Sequence, residues 1–446
     1  MKTDQRIDAT KNVKLPNVLI KSSMILKAPL KNGKKAIFSN LTGAICVVDD
    51  ELELVLDSFS KPMSPSEIYG NNHASKKAVE QLFLGGFLVN EGTDEVGILK
   101  KTIEKMKEPN TYGFMFIMTL RCNFRCVYCY EERNPIEFTP EMADKCIEFM
   151  IKKIKESGQK TVRINFYGGE PLFKFDMIKY ILTVLEEKLP KEVKIATSIV
   201  TNGSLLTVPV AQFLKKYNCG FAQITVDGLP ENHNKMRPYA NGKESFSDVI
   251  AGLKVAIDHF PMISLRINID KTNIEKVPDF LNWLKENNLR RENVIINFGQ
   301  VRTTTDQSSR RGEFCIPDYS WGKELLNLTK IAKEMGFKSY FELPRLQFCG
   351  AFNKGSVIFN PDGTLITCWE AAGNKKDYVI GDINKDPVYN ENAKLFWNRS
   401  PLDFEKCSKC DIVSFCGGGC ISSAFSANGN LNSVWGIKIS LNILLD

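Results

Sequence analysis

Histidine is scarce in this sequence, and long apolar runs are missing. Only three of the 446 residues are histidines, His73, His233 and His259, which leaves little for a hydrolytic Ser/His/Asp triad or a histidine-rich zinc site. No apolar stretch approaches the roughly 20 residues of a membrane-spanning helix, and residues 1–11 are too polar for a secretory signal peptide. We therefore expect a soluble, cytoplasmic protein with no membrane partner.

Charge of one sign is not concentrated in any part of the chain. The formal net charge is +7, and Lys and Glu are interspersed along the predicted helices, so no basic stripe indicates nucleic-acid binding. The hydrophobic fraction of 43% and the charged fraction of 25% are typical of globular proteins. A chain of this length is expected to form two or three domains with ample cores.

Cysteine, in contrast, occurs thirteen times. Disulfides are disfavoured in the cytosol, so clustered cysteines there more often bind metal or take part in redox chemistry. The densest cluster is Cys122-x3-Cys126-x2-Cys129, directly after an apolar run at 114–120 that predicts a strand. Soft thiolates at this spacing suit an iron–sulfur cluster. Structural zinc prefers four ligands, and no fourth Cys or His is adjacent; three inert buried cysteines are the remaining alternative.

This triplet, with Tyr128 in the aromatic position before its last cysteine, resembles the signature of the radical S-adenosylmethionine (SAM) family. The resemblance implies a [4Fe-4S] cluster whose open iron binds the amino and carboxylate groups of SAM. It also implies that reduction cleaves SAM to methionine and a 5′-deoxyadenosyl radical. In such enzymes the cofactor carries the difficult chemistry, while the protein supplies binding and orientation.

The segment from residue 111 onward alternates predicted strands and helices. The predicted strands are 113–120, 161–167, 193–199, 221–226, 263–269 and 293–299. The predicted helices are near 140–157, 172–188, 208–217, 246–259, 275–287 and 318–336. Six βα units predict an α/β fold with a parallel sheet and right-handed crossovers, and the partial (β/α)6 barrel of the radical SAM family has this strand number. We assign it to residues 106–340, with the chemistry at the carboxyl ends of the strands.

Further motifs follow the carboxyl ends of these strands. Gly168 and Gly169 allow close approach of the backbone to a ligand, and Glu170 can accept from a cationic amine; the stretch resembles the family's motif for the SAM amino group. Asn268 interrupts an apolar strand and faces the lumen or lies at an edge. A purely structural role is the alternative for each residue. The other contacts implied by the resemblance are Thr201 and Asn202 near SAM, Thr225 at the ribose, Arg237 at the carboxylate and Val301 at the adenine.

A second cysteine pattern occupies the C-terminal third, residues 341–446. It reads Cys349-x13-Gly363-x4-Cys368, then Cys407-x2-Cys410-x5-Cys416-x3-Cys420, with a hairpin turn at 361–363. Zinc is an alternative, because C-x2-C pairs suit it. The pattern resembles the SPASM extension, which implies one or two auxiliary [4Fe-4S] clusters. The implied ligand sets are Cys349, Cys368 and Cys420 for the first cluster, and Cys407, Cys410 and Cys416 for the second.

Two cysteines of the SPASM pattern are missing. None follows shortly after Cys349, and none occurs between residues 421 and 446. Each auxiliary set therefore has three thiolates, which leaves an open iron or a ligand other than cysteine, unless one cluster is labile or not built. Cys315 lies in a polar loop, where it is a candidate ligand or free thiol. We interpret the three other cysteines as small buried hydrophobic residues: Cys46, Cys146 and Cys219.

Residues 1–105 predict a separate N-terminal domain. Strands are predicted within 23–48, helices within 52–84 and a strand with a turn at 87–92, whereas 92–106 is predicted to be a linker. This order resembles the winged-helix module of radical SAM peptide maturases, which captures a leader peptide as an added strand at a sheet edge. A small structural domain is the alternative.

Together these features predict a radical SAM maturase of a ribosomally made peptide. We expect it to form an intrapeptide thioether: the radical takes a hydrogen from the acceptor residue, and a substrate thiolate on an auxiliary iron closes the C–S bond. An external reductant of the flavodoxin or ferredoxin type is the second expected partner. A peptide epimerase with Cys315 as hydrogen donor is one alternative. A sulfatase maturase is disfavoured because Trp369 follows Cys368 where those enzymes have Asp. An iron–sulfur electron carrier or redox sensor is the non-enzymatic alternative.

Overall fold

The computed structural model describes residues 13–433, apart from 31–32, 71, 110, 132, 304–307, 309–311, 340–348, 374–375, 411 and 431–432. The predicted boundary between residues 340 and 341 therefore lies outside the described residues, as do both chain ends. None of the helices in the described part is long and apolar enough to cross a membrane.

The N-terminal segment contains two small antiparallel sheets and three helices. Its strands are β1 (Leu19–Lys21), β2 (Ile25–Pro29), β3 (Lys35–Ser39), β4 (Ile45–Val48) and β5 (Leu88–Asn90), and its helices are α1 (Asp50–Ser58), α2 (Pro65–Tyr69) and α3 (His73–Leu84). β2, β3 and β4 form one sheet, and β1 pairs with β5. Asp49 caps α1 by accepting from the amide of Leu52, which satisfies a donor of the first turn that has no partner within the helix. The predicted order of strands and helices is observed.

The prediction of a linker at 92–106 is wrong. Residues Glu95–Lys107 form helix α4, and Leu99 and Ile103 are fully buried on it. Residues four apart share one face of a helix, and this face packs against Leu402, Cys407 and Val413 near the C-terminus. The helix therefore ties the N-terminal sheets to the C-terminal cysteine region.

Six parallel strands follow, and the predicted α/β barrel fold is confirmed. The strands are β6 (Gly113–Ile117), β7 (Thr161–Tyr167), β8 (Lys194–Thr201), β9 (Cys219–Thr225), β10 (Ile263–Ile269) and β11 (Val294–Gln300). The helices are α5 (Pro140–Ser157), α6 (Phe175–Lys188), α7 (Val208–Lys216), α8 (Pro230–Met236), α9 (Phe246–His259), α10 (Val277–Glu286) and α11 (Asp318–Glu334). Neighbouring strands are consecutive in sequence and parallel. Their carboxyl ends consequently meet at one edge of the sheet.

The C-terminal hairpin extends the barrel sheet. Strands β12 (Lys338–Ser339), β13 (Ser356–Phe359), β14 (Thr364–Ile366) and β15 (Val379–Asp382) complete a sheet of ten strands. β13 lies parallel to β6, and β14 pairs antiparallel with β13 across the predicted turn at 361–363. The hairpin thereby covers the edge of β6 that β7 leaves open. The start of the C-terminal cysteine region is consequently fixed beside the strand that leads into the Cys122 loop.

Four short helices complete the described chain: α12 (Glu391–Asn398), α13 (Glu405–Ser408), α14 (Val413–Cys416) and α15 (Ile421–Asn428). One large apolar core runs from the barrel into this region. The ring of Phe359 on β13 lies 5.7 Å from that of Phe114 and 5.0 Å from that of Phe116, both on β6. The division at residue 340 stays a prediction, although one sheet and one core extend across it.

Candidate active site

A cavity of about 620 Å³ opens at the carboxyl ends of the barrel strands. Loops after β6, β7 and β8 contribute to its wall, together with residues at the ends of β9, β10 and β11. Most of the sequence-predicted SAM-site residues meet there. These are Cys122, Cys126, Tyr128, Cys129, Gly168, Gly169, Thr201, Asn202, Thr225, Arg237, Asn268 and Val301.

The cysteine loop is held by the segment that follows α8. The amide of Arg125 donates to Pro238 O at 2.8 Å, and the amide of Val127 donates to Met236 O at 3.0 Å. The ring of Phe124 is buried edge-on against Tyr239, with 4.9 Å between ring centroids. Because these contacts surround Arg237, the loop and the arginine are positioned by the same segment.

The three thiols of this loop fit a [4Fe-4S] cluster. Burial raises the pKa of Cys122 and Cys126, and raises that of Cys129 to about 12, so these sulfurs stay protonated unless a metal replaces their protons. The Phe124 amide donates to Cys122 Sγ at 3.4 Å, a kind of contact that tunes cluster thiolates. In the part of the chain that the structure describes, no three His, Cys, Asp or Glu side chains converge on a point where one ion would bind. Three thiolates from one loop match a [4Fe-4S] cluster with one open iron, whereas structural zinc takes four protein ligands.

The two glycines after β7 are required by contacts within the protein. Gly168 has φ +123°, and a Cβ on it would lie 2.5 Å from Thr119 O. A Cβ on Gly169 would lie 2.3 Å from Arg121 O. Only glycine permits this approach to the strand end that precedes Cys122. The glycines also line the cavity, so the Gly-Gly turn supports the cysteine loop as well as forming part of the wall.

Glu170 lies behind the cavity wall and is fully buried. Its carboxylate accepts from Thr201 Oγ1 at 2.7 Å, from the Asn202 amide at 2.7 Å and from the Leu172 amide at 3.0 Å. These bonds join the loops after β7 and β8. We therefore interpret Glu170 as a residue that positions the loops, and its predicted contact with the SAM amine stays a prediction.

Tyr128 lies at the centre of a buried polar network. Its hydroxyl donates to Asp227 and accepts from Arg237 at 2.6 Å and from Asn268 Nδ2 at 2.9 Å. Arg237 Nη1 lies 4.0 Å from the Asp227 carboxylate, while its buried Nε has no hydrogen-bond partner among the described residues. One guanidinium donor is therefore left for an anionic ligand such as the SAM carboxylate. The sequence analysis gave no role to Asp227.

Arg266 is a cavity residue that the sequence analysis missed. It lies on β10 two residues before Asn268, and its Nε donates to Asn268 Oδ1 at 3.0 Å. Its guanidinium passes over Gly299 of β11, where any Cβ would lie 1.6 Å from Nη2. Side chains two apart on a strand share a face, so the position of Asn268 in the cavity wall also indicates Arg266.

Comparisons with known proteins agree with this geometry. Residues 116–284 match the family model of the radical SAM superfamily. The radical SAM cyclopropyl synthase TigE of Paramaledivibacter caminithermalis is 23% identical over 438 residues, covering 89% of this chain and 88% of TigE.

Two solved structures share the fold. Streptococcus suis SuiB bound to the precursor peptide SuiA has a TM-score of 0.54 at 14% identity, covering 93% of this chain and 98% of SuiB. The structure of anSMEcpe with bound AdoMet and a Kp18Cys peptide has a TM-score of 0.59 at 17% identity, covering 73% of this chain and 93% of that one.

The chain contains a radical SAM domain. The resemblance drawn from Cys122, Cys126 and Cys129 is thereby confirmed, as are the principal cofactors, because this family uses a [4Fe-4S] cluster and SAM. The serine-type anaerobic sulfatase-maturating enzyme of Bacteroides thetaiotaomicron is 24% identical over 346 residues, covering 68% of this chain and 81% of that enzyme.

The C-terminal thiols form two groups beside the radical SAM domain. Burial raises the pKa of Cys349, and the nearby Cys420 and Glu370 raise it further. The pKa of Cys368 is raised by burial and by Glu370, Cys349 and Cys420. Cys349, Cys368 and Cys420 therefore lie within electrostatic range of one another, and their role as the first ligand set stays a prediction.

The second group consists of Cys407, Cys410 and Cys416 and lies beside helix α4. Burial raises the pKa of Cys407, and its neighbours Cys416 and Cys410 add to the shift. Cys407 and Cys410 belong to the apolar cluster that contains Leu99 and Ile103. The second predicted set is therefore assembled with the N-terminal segment packed against it.

Trp369 and Glu370, which follow Cys368, also line the radical SAM cavity. Arg302, directly after Val301, connects the two sites: it donates to Glu370 Oε1 at 2.9 Å and to Ser423 Oγ at 2.8 Å. The first auxiliary thiol group therefore adjoins the SAM cavity. No local pattern indicated Arg302, because its partners are distant in sequence.

Cys315 does not belong to the described wall of this cavity. It lies in the loop between β11 and α11, where its amide donates to Gly312 O at 3.2 Å. The structure does not bring it together with Cys122, Cys126 and Cys129, so its predicted catalytic role has no support from this geometry. Cys146 and Cys219 are buried as predicted, and Cys46 is partly buried.

Proposed function

We propose that this protein is a radical SAM enzyme that modifies a ribosomally made peptide, joining a cysteine sulfur of that peptide to a carbon of another residue. The observation that carries the proposal is the shared cavity. The radical SAM loop forms one wall, while Trp369 and Glu370 of the cysteine-rich C-terminal segment form another. An electron carrier or redox sensor has no need of a cavity of about 620 Å³ at this place.

When bound, the [4Fe-4S] cluster and SAM supply an electron and a carbon radical that is able to take hydrogen from an unactivated C–H bond. The chain's own residues supply binding and orientation. The unpartnered Nε of Arg237 is suited to the carboxylate of SAM, and Tyr128, Asp227 and Asn268 hold that guanidinium in place.

The N-terminal sheet offers a site for a leader peptide. Strand β4 pairs only with β3 among the described strands, and its Ile45 and Val47 are 48% and 52% exposed. An apolar edge strand is prone to pair with another chain, and strand addition is a common mode of peptide recognition. The solved structures of SuiB and anSMEcpe with bound peptides support a peptide substrate.

The leader site is tested by changing β4. We expect Val47→Lys to weaken binding of the precursor peptide roughly 10- to 100-fold, since one buried Val contributes about 1.5–3 kcal/mol. SAM cleavage without peptide should be unaffected. Val96→Lys, at a 43% exposed position on α4, is the control. Equal peptide affinity for the two variants in a fluorescence titration would rule out the β4 edge.

Cyclopropane formation is the second candidate, because the cyclopropyl synthase TigE matches this chain over most of both lengths. A thioether forms when sulfur and carbon each lose one hydrogen and join. A cyclopropane ring also costs two hydrogens but leaves every thiol unchanged. Epimerisation, the remaining alternative, leaves the mass of the peptide unchanged.

The product is tested by mass spectrometry. The protein would be produced anaerobically together with a short cysteine-containing peptide encoded beside its gene, and the peptide treated with iodoacetamide. We expect a loss of two hydrogens and one alkylation fewer than in a Cys126→Ala control. Loss of two hydrogens with full alkylation would indicate a carbon–carbon bond instead. A peptide of unchanged mass whose digest contains a D-residue would indicate epimerisation.

An external one-electron reductant of the flavodoxin or ferredoxin type stays a prediction.

A further inference from the structure

The first auxiliary thiol group contains three cysteines, and a [4Fe-4S] cluster has four irons to ligate. Cys349, Cys368 and Cys420 are brought together from three parts of the chain. The fourth position needs either an external ligand or another side chain of this protein.

One carboxylate lies within electrostatic range of two of these thiols and shares an arginine with the third. Glu370 lies two residues after Cys368, on a short 3₁₀ helix at Trp369–Ala371. Its charge acts on both Cys349 and Cys368. Arg302 brings it near the third cysteine, because the same guanidinium contacts Glu370, Cys420 and Ser423 of α15.

The two oxygens of this carboxylate differ. Oε1 accepts from Arg302 at 2.9 Å. Oε2 is buried and has no hydrogen-bond partner among the described residues. A buried carboxylate oxygen without a partner is costly, and coordination to a metal is one way to satisfy it. Carboxylates that bind metals are commonly oriented by a second hydrogen bond of this kind.

We propose that Glu370 is the fourth ligand of the first auxiliary cluster, with Oε2 on the iron that no cysteine holds and Oε1 on Arg302. The step is ligand binding without a change of oxidation state. An oxygen ligand suits these irons less well than a thiolate. Since Glu370 also lines the SAM cavity, the iron that it would hold is the one we expect to exchange its ligand.

The test uses full-length protein in which Cys122, Cys126 and Cys129 are changed to Ala, so that only auxiliary clusters remain. The protein is reconstituted with iron and sulfide without oxygen, reduced stepwise and followed by electron paramagnetic resonance. Glu370→Gln removes the anionic ligand, and a cluster with less negative charge is easier to reduce. We therefore expect altered g-values and a higher midpoint potential for one cluster, with the other unchanged. Glu391→Gln, which removes an exposed charge on α12, should change neither.

Identical spectra and potentials for Glu370→Gln and its parent would overturn the assignment. Glu370→Gln could instead lose about four irons. In that case the variant Glu370→Cys distinguishes a ligand role of Glu370 from a structural one. Recovery of the iron with a third, thiolate-type spectrum supports the ligand role, and failure to recover it contradicts that role. The inference rests on the auxiliary clusters of the proposed function, but no peptide enters the measurement. An unchanged spectrum therefore leaves the peptide-modification proposal standing.

Discussion

The two cysteine regions of this protein reach similar thiol groups by different routes. Cys122, Cys126 and Cys129 lie within eight residues, in one loop at the end of one strand. Cys349, Cys368 and Cys420 come from a segment before β13, the end of the β13–β14 hairpin and the start of α15. The first group is positioned by local spacing, whereas the second exists only because the hairpin has joined the edge of the barrel sheet.

The two thiol groups should therefore respond differently to mutation. The Cys122 loop is held by backbone hydrogen bonds to residues 236–240 and by the Gly-Gly turn. The C-terminal groups depend on packing between distant segments, including helix α4. Changes to the local loop should therefore remove chemistry without loss of fold. Changes to the packing should remove auxiliary clusters while the SAM site persists.

The largest effect is expected for Cys126→Ala, which removes a partly buried thiol from the cavity wall. Reductive SAM cleavage should fall below detection, because the cluster loses one of its three protein ligands. The measurement is 5′-deoxyadenosine formation by chromatography. Cys146→Ala, at a buried cysteine on α5, is the control and should retain cleavage. Cleavage by Cys126→Ala at the control rate would contradict the assignment of this loop.

The next largest effect is expected at the contact between helix α4 and the C-terminal cysteine region. Leu99→Ala removes a fully buried side chain from the contact between α4 and the Cys407 region, and such truncations cost about 2–5 kcal/mol. We expect a lower melting temperature and loss of up to about four irons, with SAM cleavage retained. Leu395→Ala, at a 57% exposed position on α12, should change neither. Full iron content in Leu99→Ala would show that the Cys407 group assembles without α4.

Arg237→Gln is expected to act on SAM binding. Loss of a charge-assisted hydrogen bond costs about 1.5–3 kcal/mol, which corresponds to roughly a 10- to 100-fold weaker affinity measured by calorimetry. Arg237→Lys should recover part of the loss, because it keeps the charge but not the planar set of donors. Arg290→Gln, at an exposed arginine, serves as the control. Unchanged affinity would place the SAM carboxylate elsewhere in the cavity.

The smallest effect is expected at the turn of Gly168 and Gly169, which supports the Cys122 loop. Gly169→Ala places a methyl group 2.3 Å from a backbone oxygen, and overpacking of this kind costs about 1–3 kcal/mol. A lower melting temperature is expected. Gly113→Ala, where a Cβ meets nothing within 4 Å, should leave it nearly unchanged. If the two variants melt together, the glycines at 168–169 are not required by packing, and a direct ligand contact becomes the better explanation.

The barrel could be predicted from the sequence because its signals are local. Each strand is a short apolar run, and α5 begins at Thr139-Pro140 and ends at Gly158 in the left-handed conformation, as the sequence indicated. The spacing of Cys122, Cys126 and Cys129 likewise requires no tertiary information. The cavity residues at the end of β8 and on β9, Thr201, Asn202 and Thr225, were implied by the resemblance to the radical SAM family.

The features that could not be predicted from the sequence depend on contacts between segments that are distant in the chain. Helix α4 was taken for a linker, since its buried residues Leu99 and Ile103 are separated by lysines and glutamates and their partners are about 300 residues away. The pairing of β13 with β6 was not predictable, because a sheet edge can accept any strand. Arg302 and Glu370 meet only after that pairing. Arg266 is different, since the two-residue period of a strand places it on the same face of β10 as Asn268.

The central claim is that this chain builds one SAM-binding cluster in a local loop and auxiliary clusters in the assembled C-terminal region. The most direct test is the iron, sulfide and zinc content of protein reconstituted without oxygen. The comparison is the variant with Cys122, Cys126 and Cys129 changed to Ala. We expect roughly twelve irons in the wild type and about four fewer in the variant. About four irons in the wild type, with zinc in the C-terminal region, would contradict the account.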